Sequence, residues 1–294
     1  LDDRRPHSER WIEVTLLIMT GLSAVAIFSI LILLGYFCLP LLRADHLARV
    51  LSWHWQPFGG EFGILPMCLA SLALATLTLL LAFPMAMGIC CLVHFLAPRP
   101  LARFFLGLTH FMTSIPTVVY GFVSVFLLVP VMRDWLHAGS GFTLLTAALT
   151  LTLLTLPTIV LVFNARLEQM DATLRLSAEA MGMTPVQQFR HVAVPAAGQG
   201  LAVAAILGFA RALGDTLISL MLAGNAAQLP DSLFASVRTL TAHITLVLAT
   251  DTHSMIYQSV FASGLILFLI MGTINSLIRR SWKSGRGYSH GSDL

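Results

Sequence analysis

Between Glu61 and Arg99 the chain carries no Asp, Glu, Lys or Arg, and the same holds from Arg103 to Arg133, from Asp134 to Arg166 and from Asp251 to Arg279. Uncharged apolar runs of this length decide the solvent. A helix crosses a bilayer with about 20 apolar residues. Six stretches qualify, at 14–42, 64–96, 104–132, 142–165, 196–222 and 255–278. Lipid offers the backbone no water to bond, so each is expected to be a helix. The first is too long for a signal-peptide core and lacks a small-residue cleavage site. The chain is 57% hydrophobic and 11% charged, where soluble domains carry roughly 25% charged residues, so neither a soluble globule nor a disordered chain fits. The expected fold is all-α: a polytopic membrane protein with six transmembrane helices. A segment 1–13 precedes the membrane domain 14–278, and a tail 279–294 follows it.

Arginine placement orients the bundle. With the N-terminus inside, the cytoplasmic segments hold Arg4, Arg5, Arg10, Arg99, Arg103, Arg166, Arg175, Arg190, Arg279, Arg280, Lys283 and Arg286. The outer segments hold only Arg43, Arg49, Arg133 and Arg238. This asymmetry predicts that both termini are cytoplasmic. Trp11, Trp53, Trp55, Trp135 and Trp282 all fall at predicted membrane borders, where aromatic belts form. The net charge of +3 is too small to argue for nucleic acid.

Several chemistries are excluded. Lys283 is the single lysine and Trp282 precedes it, so no Gly-Lys-Ser/Thr phosphate loop exists. Cys38, Cys68, Cys90 and Cys91 sit in apolar runs, which supports neither a disulfide framework nor a zinc site. The ten histidines show no metal-ligand spacing, and no hydrolase signature occurs. No cofactor is expected in this chain.

The cytoplasmic loop 166–195 is long and polar, and such loops are usually functional. Gly182 suits a left-handed helix end. Thr184-Pro185-Val186-Gln187 then reads as a capping box with proline at the first helical position. The short helix that follows is expected to stop before Pro195. At two to three turns it needs something to pack on. Val186, Phe189 and Ala193 share one face, ringed by Gln188, Arg190 and His191. Such a helix either lies on its own protein or headgroups, or plugs a groove on a soluble partner.

Arg211 and Asp215 are charges inside the fifth stretch. A mid-membrane charge costs at least about 2.5–3.5 kcal/mol on insertion scales. At i and i+4 they would share a helix face with Gly200, Ala204, Gly208 and Ser219, whose small side chains let helices approach closely. Arg211 would lie about 22 Å along a helix beginning near Ala196. The pair reads either as a structural ion pair or as an oxyanion site. In the third stretch His110, Thr113, Ser114, Thr117, Tyr120 and Ser124 form a polar stripe. Its hydroxyls either line a wet path or bond back to their own helix carbonyls, and Pro116 is placed to kink that helix.

Permease subunits of bacterial ABC importers carry a cytoplasmic loop of the form Glu-Ala-Ala, three residues, Gly, nine residues, Ile, any residue, Leu-Pro. Leu176-Ser177-Ala178, Gly182, Val192, Val194 and Pro195 resemble that frame in full spacing, with Leu176 in place of the leading Glu and an acid at Glu179 instead. Three further stretches resemble phosphate-importer permeases: Trp55-Gln56-Pro57 with Phe62-Gly63-Ile64-Leu65-Pro66, Ile115-Pro116-Thr117-Val118-Val119-Tyr120-Gly121, and Arg211-Ala212-Leu213-Gly214-Asp215-Thr216 followed by Ala223-Gly224-Asn225. Asp215 stands where that branch has Glu. The resemblance implies a non-catalytic permease subunit of a bacterial inner-membrane importer. It implies a second permease, two copies of an ABC ATPase that bind ATP and magnesium, and an extracytoplasmic phosphate-binding protein. It assigns Arg211, Asp215, Thr216, Ser114, Thr117 and Tyr120 to the substrate path. Ala178, Gly182, Val186, Phe189, Arg190 and Pro195 go to ATPase coupling. Two rivals stand beside phosphate import: the same machine for molybdate, sulfate or phosphonate, and a secondary transporter or channel that needs no ATPase.

Overall fold

The computed structural model describes residues 7–39, 50–56, 61–248 and 255–285. Arg4, Arg5, Arg43, Arg49 and Arg286 of the charge count lie outside the described residues, as do Pro57 and the side chains of Arg10, Arg279, Arg280, Trp282 and Lys283. In chain order the helices are α1 (His7–Cys38), α2 (Leu65–Leu96), α3 (Arg99–Ser114), α4 (Thr117–Asp134), α5 (Leu144–Glu168), α6 (Ala172–Ala180), α7 (Pro185–Ala196), α8 (Gly198–Gly214), α9 (Leu217–Leu222), α10 (Leu240–Leu248) and α11 (Met255–Gly285). A two-residue hairpin, β1 (Trp55–Gln56) and β2 (Glu61–Phe62), pairs antiparallel with Trp55 opposite Phe62 and leads into α2. Among the described residues five helices are long and apolar enough to cross a membrane, and the bent pair α7–α8 makes a sixth if counted as one span.

Two of the expected unbroken helices are interrupted. The stretch 104–132 divides at Ile115 and Pro116, both extended, with ψ of 123° and 141°. Proline has no N–H to continue the ladder and pushes the residue before it out of the helical region. So α3 becomes a separate helix carrying an exposed stripe of Leu101, Phe104, Leu108 and Phe111. The stretch 196–222 divides at Asp215, which is extended at φ −75°, ψ 127°.

α5 is the axis of the bundle, and two thirds of its most apolar window is buried inside the chain. α2 and α8 pack on it through small residues: Ala82 and Ala86 from α2, and Ala204 and Gly208 from α8, are buried against Ile159, Val160 and Phe163. Close backbone approach is what small side chains provide where lipid supplies no hydrophobic drive. A second core, toward the other end of α5, gathers Ala70, Leu74, Leu151, Ile218, Leu222 and Val237. α1 stands apart, with none of its most apolar window buried. It touches α11 where the Phe37 and Phe261 rings stack at 4.4 Å.

Candidate functional site

The break after α8 carries the intramembrane charges. Gly200, Ala204 and Gly208 are buried as their spacing predicts, but Arg211 is exposed and Asp215 has left the helix. The two do not share a helix face and form no ion pair. The Asp215 carboxylate instead accepts the Ile218 backbone N–H at 2.8 Å, a use that suits an acid at the start of a helix. The Asp215 carbonyl accepts hydroxyls from Ser219 at 3.0 Å and Thr241 at 3.1 Å. Thr216, half-buried, begins the turn into α9, and its carbonyl also accepts from Ser219 at 3.0 Å.

Tyr120 spans the α3–α4 break, its hydroxyl donating to the Met112 carbonyl at 2.9 Å. Ser114 ends α3 exposed and Thr117 starts α4 half-buried. The expected polar stripe is not one surface. Thr113 bonds back to the His110 carbonyl at 2.6 Å. Ser124 is buried and accepts from Thr150 of α5 at 2.9 Å. Ser114, Thr117 and Tyr120 are the stripe members left beside the break.

The segment after α9 was not legible as part of the site. It turns back at Gly224 and Asn225, with φ of 87° and 59°. Glycine reaches this region freely, and a Cβ at Gly224 would sit 2.6 Å from the Phe142 carbonyl. Asn225 donates from Nδ2 to the Leu220 carbonyl at 2.7 Å. Val237 then closes the loop by donating to Ala223 at 2.8 Å, and Arg238 Nε donates to the Asn225 carbonyl at 2.9 Å. This delivers Thr241 to the Asp215 carbonyl, with the Thr239 hydroxyl 3.1 Å from that of Thr241. The run Thr239, Thr241, Thr245 beside an apolar helix was the available signal. Trp55 packs edge-on against the His243 ring at 4.6 Å.

Around α6 and α7 the caps form as read. Gly182 sits at φ 70° and closes α6, with Met183 N–H donating to the Ala178 carbonyl at 3.2 Å. Thr184 and Gln187 complete the reciprocal capping box at 2.9 and 3.4 Å. Two expectations need correction. α7 does not stop before Pro195: the π turn Phe189–Ala193 resets the ladder, so Pro195 falls in a first turn where its missing N–H costs nothing. And Phe189 is no free plug. It is buried, with its ring 5.6 Å from Phe95 and 6.4 Å from Phe163. Ala178 is buried too, while Leu174, Leu176, Met181, Val186, Arg190 and Pro195 are exposed.

Residues 79–282 match the model of the binding-protein-dependent transport system inner membrane component. The chain is similar to the probable ABC transporter permease protein YqgH of Bacillus subtilis, 32% identical over 80% of this chain and 77% of that one. It is similar to the phosphate transport system permease protein PstC of Mesorhizobium japonicum, 27% identical over 94% of this chain and 92% of that one. Among solved structures it is similar in fold to a chain of a bacterial alginate ABC transporter in complex with an alginate pentasaccharide-bound periplasmic protein. There the TM-score is 0.70 at 15% identity, over 92% of this chain and 93% of that one.

Proposed function

From the premise that this chain belongs to the family of binding-protein-dependent transport system inner membrane components, we propose that it moves inorganic phosphate inward by alternating access. As a member it is a multi-pass inner-membrane permease subunit of an ABC importer and not a catalytic enzyme. The phosphate reading rests on likeness to phosphate permeases along nearly the whole chain. The observation that carries it in the structure is Arg211. Its guanidinium is exposed and unpaired with Asp215, whose carboxylate is already engaged by Ile218. A planar donor fork free of its neighbouring carboxylate is available to an oxyanion. Asp215, Thr216, Tyr120, Thr117 and Ser114 border the same breaks in α3–α4 and α8–α9.

The proposed assembly pairs this chain with a second permease and two ATPase copies, which hold ATP and magnesium, and with an extracytoplasmic phosphate-binding protein. The loop 166–195 meets the ATPase, and both termini are cytoplasmic. Labelled phosphate uptake by the reconstituted complex tests the reading. Arg211→Lys keeps the charge but loses the fork, and should lower uptake on the order of tenfold at unchanged complex yield. Near-normal uptake in an Arg211→Ala/Asp215→Ala double variant would remove Arg211 from the path. Molybdate, sulfate or a phosphonate carried in preference to phosphate would replace the substrate.

A further inference from the structure

Two π turns face each other at the cytoplasmic end of the bundle. One is Leu92–Leu96 at the end of α2, where Ala97 N–H reaches back to the Leu92 carbonyl at 2.7 Å. The other is Phe189–Ala193 within α7. Such turns are rare and gather at functional sites. They meet through aromatic rings: Phe95 of the first lies 5.6 Å from Phe189 of the second, which lies 6.4 Å from Phe163 of α5.

The joint is fastened on each side. His94, next to Phe95, donates from Nε2 to Asn164 Oδ1 at 2.7 Å, and Asn164 Nδ2 donates to Glu168 at 2.8 Å, so the π turn of α2 is tied to α5. Arg175 of α6 holds Glu179 at 3.2 Å and lies over the Phe95 ring at 5.9 Å. Gln188 Nε2 donates to the Met183 carbonyl at 3.0 Å and steadies α7. By contrast α7 meets α8 at an 81° bend. A push along α7 therefore has no straight route into α8, while the packed rings give it a direct one into α2 and α5.

We propose that Phe95 and Phe189 are positioning residues that join the two π turns into one unit, so that displacement of α7 moves the cytoplasmic ends of α2 and α5 together. This rests on the importer reading above but not on phosphate as its substrate. The test uses the whole complex with Phe95→Ala, Phe189→Ala and both. In assembled complexes ATP hydrolysis should persist while transport per ATP falls about tenfold. The loss in the double variant should fall well short of the two single losses combined, because each single variant already breaks the shared Phe95–Phe189 contact. Hydrogen exchange on vanadate-trapped complexes needs no transported substrate. There, protection at 92–97 and 189–197 should change together in the unaltered protein and separately in Phe189→Ala. The joint is overturned by a normal transport-to-hydrolysis ratio per assembled complex, by loss of ATPase binding alone, or by the two segments still moving together in Phe189→Ala. Absence of phosphate uptake in the unaltered complex overturns the substrate reading, and the exchange experiment then decides the joint by itself.

Discussion

His243 shows how a single side chain is set by its surroundings. It lies in α10, outside the spanning helices, wholly buried, with Nε2 3.1 Å from the Ser259 hydroxyl and Nδ1 unpartnered. Burial, and then the nearby Arg238 charge, push it down to about 3. The unfolded chain takes up a proton near the ordinary value of about 6.5. Its stabilising contribution is therefore complete above that value and is lost as pH falls from there toward 3. The thermal unfolding midpoint of the purified protein should fall on acidification below about pH 6.5. His243→Gln stays neutral and should flatten that dependence. An unchanged pH slope in the variant would mean that His243 is protonated in the folded protein. Arg211 and Asp215 teach a second lesson at this scale. Their spacing reads as a pair only if the helix is unbroken, and the carboxylate is instead drawn to the free N–H groups that begin α9.

At the scale of elements, helix packing follows small residues. A Cβ at Gly208 would lie 2.7 Å from both Cδ1 and Cγ1 of buried Ile159, and 3.3 Å from Thr155 Cγ2. Gly208→Ala should force α8 away from α5 and cost about 1–3 kcal/mol. Gly88 in α2 has nothing within 4 Å of such a Cβ, so Gly88→Ala should be neutral or stabilise by up to about 1 kcal/mol through helix propensity. Denaturation midpoints of the two variants check the contrast. Equal stabilities would show that the α5–α8 contact yields without strain. Caps were readable because they are local: Gly182, Thr184, Pro185 and Gln187 act within one turn. The π turns were not, since their backbone bonds, Ala97 N–H to the Leu92 carbonyl and Val194 N–H to the Phe189 carbonyl, are equally local but no side-chain spacing marks them.

For the whole molecule, the twelve-to-four division of basic residues predicts which side each loop faces. Gln187 and Ser232 are both exposed, on loops separated by α8 and α9. A cysteine at Gln187 should react with an impermeant thiol reagent only from the cytoplasm, and one at Ser232 only from outside. Reaction of both from the same side would overturn the proposed orientation. The exposed apolar lengths of α1 and α4 belong to the same picture, because a bundle in lipid need not bury its outer faces within one chain.

What the sequence determined by itself was the solvent, the helical class and the local punctuation. Uncharged runs longer than a bilayer is thick leave the backbone no other way to bond, and proline, glycine and hydroxyl caps act on neighbours a few residues away. Tertiary structure decided what no spacing encodes. It placed Phe189 against Phe95 and Phe163 rather than at the surface. It brought Thr241, distant in sequence, to the Asp215 carbonyl. It separated Arg211 from Asp215 by ending α8 between them. Periodicity names the face of an unbroken helix, but the break at Asp215, and the partner that buries each face, are settled only when the helices pack.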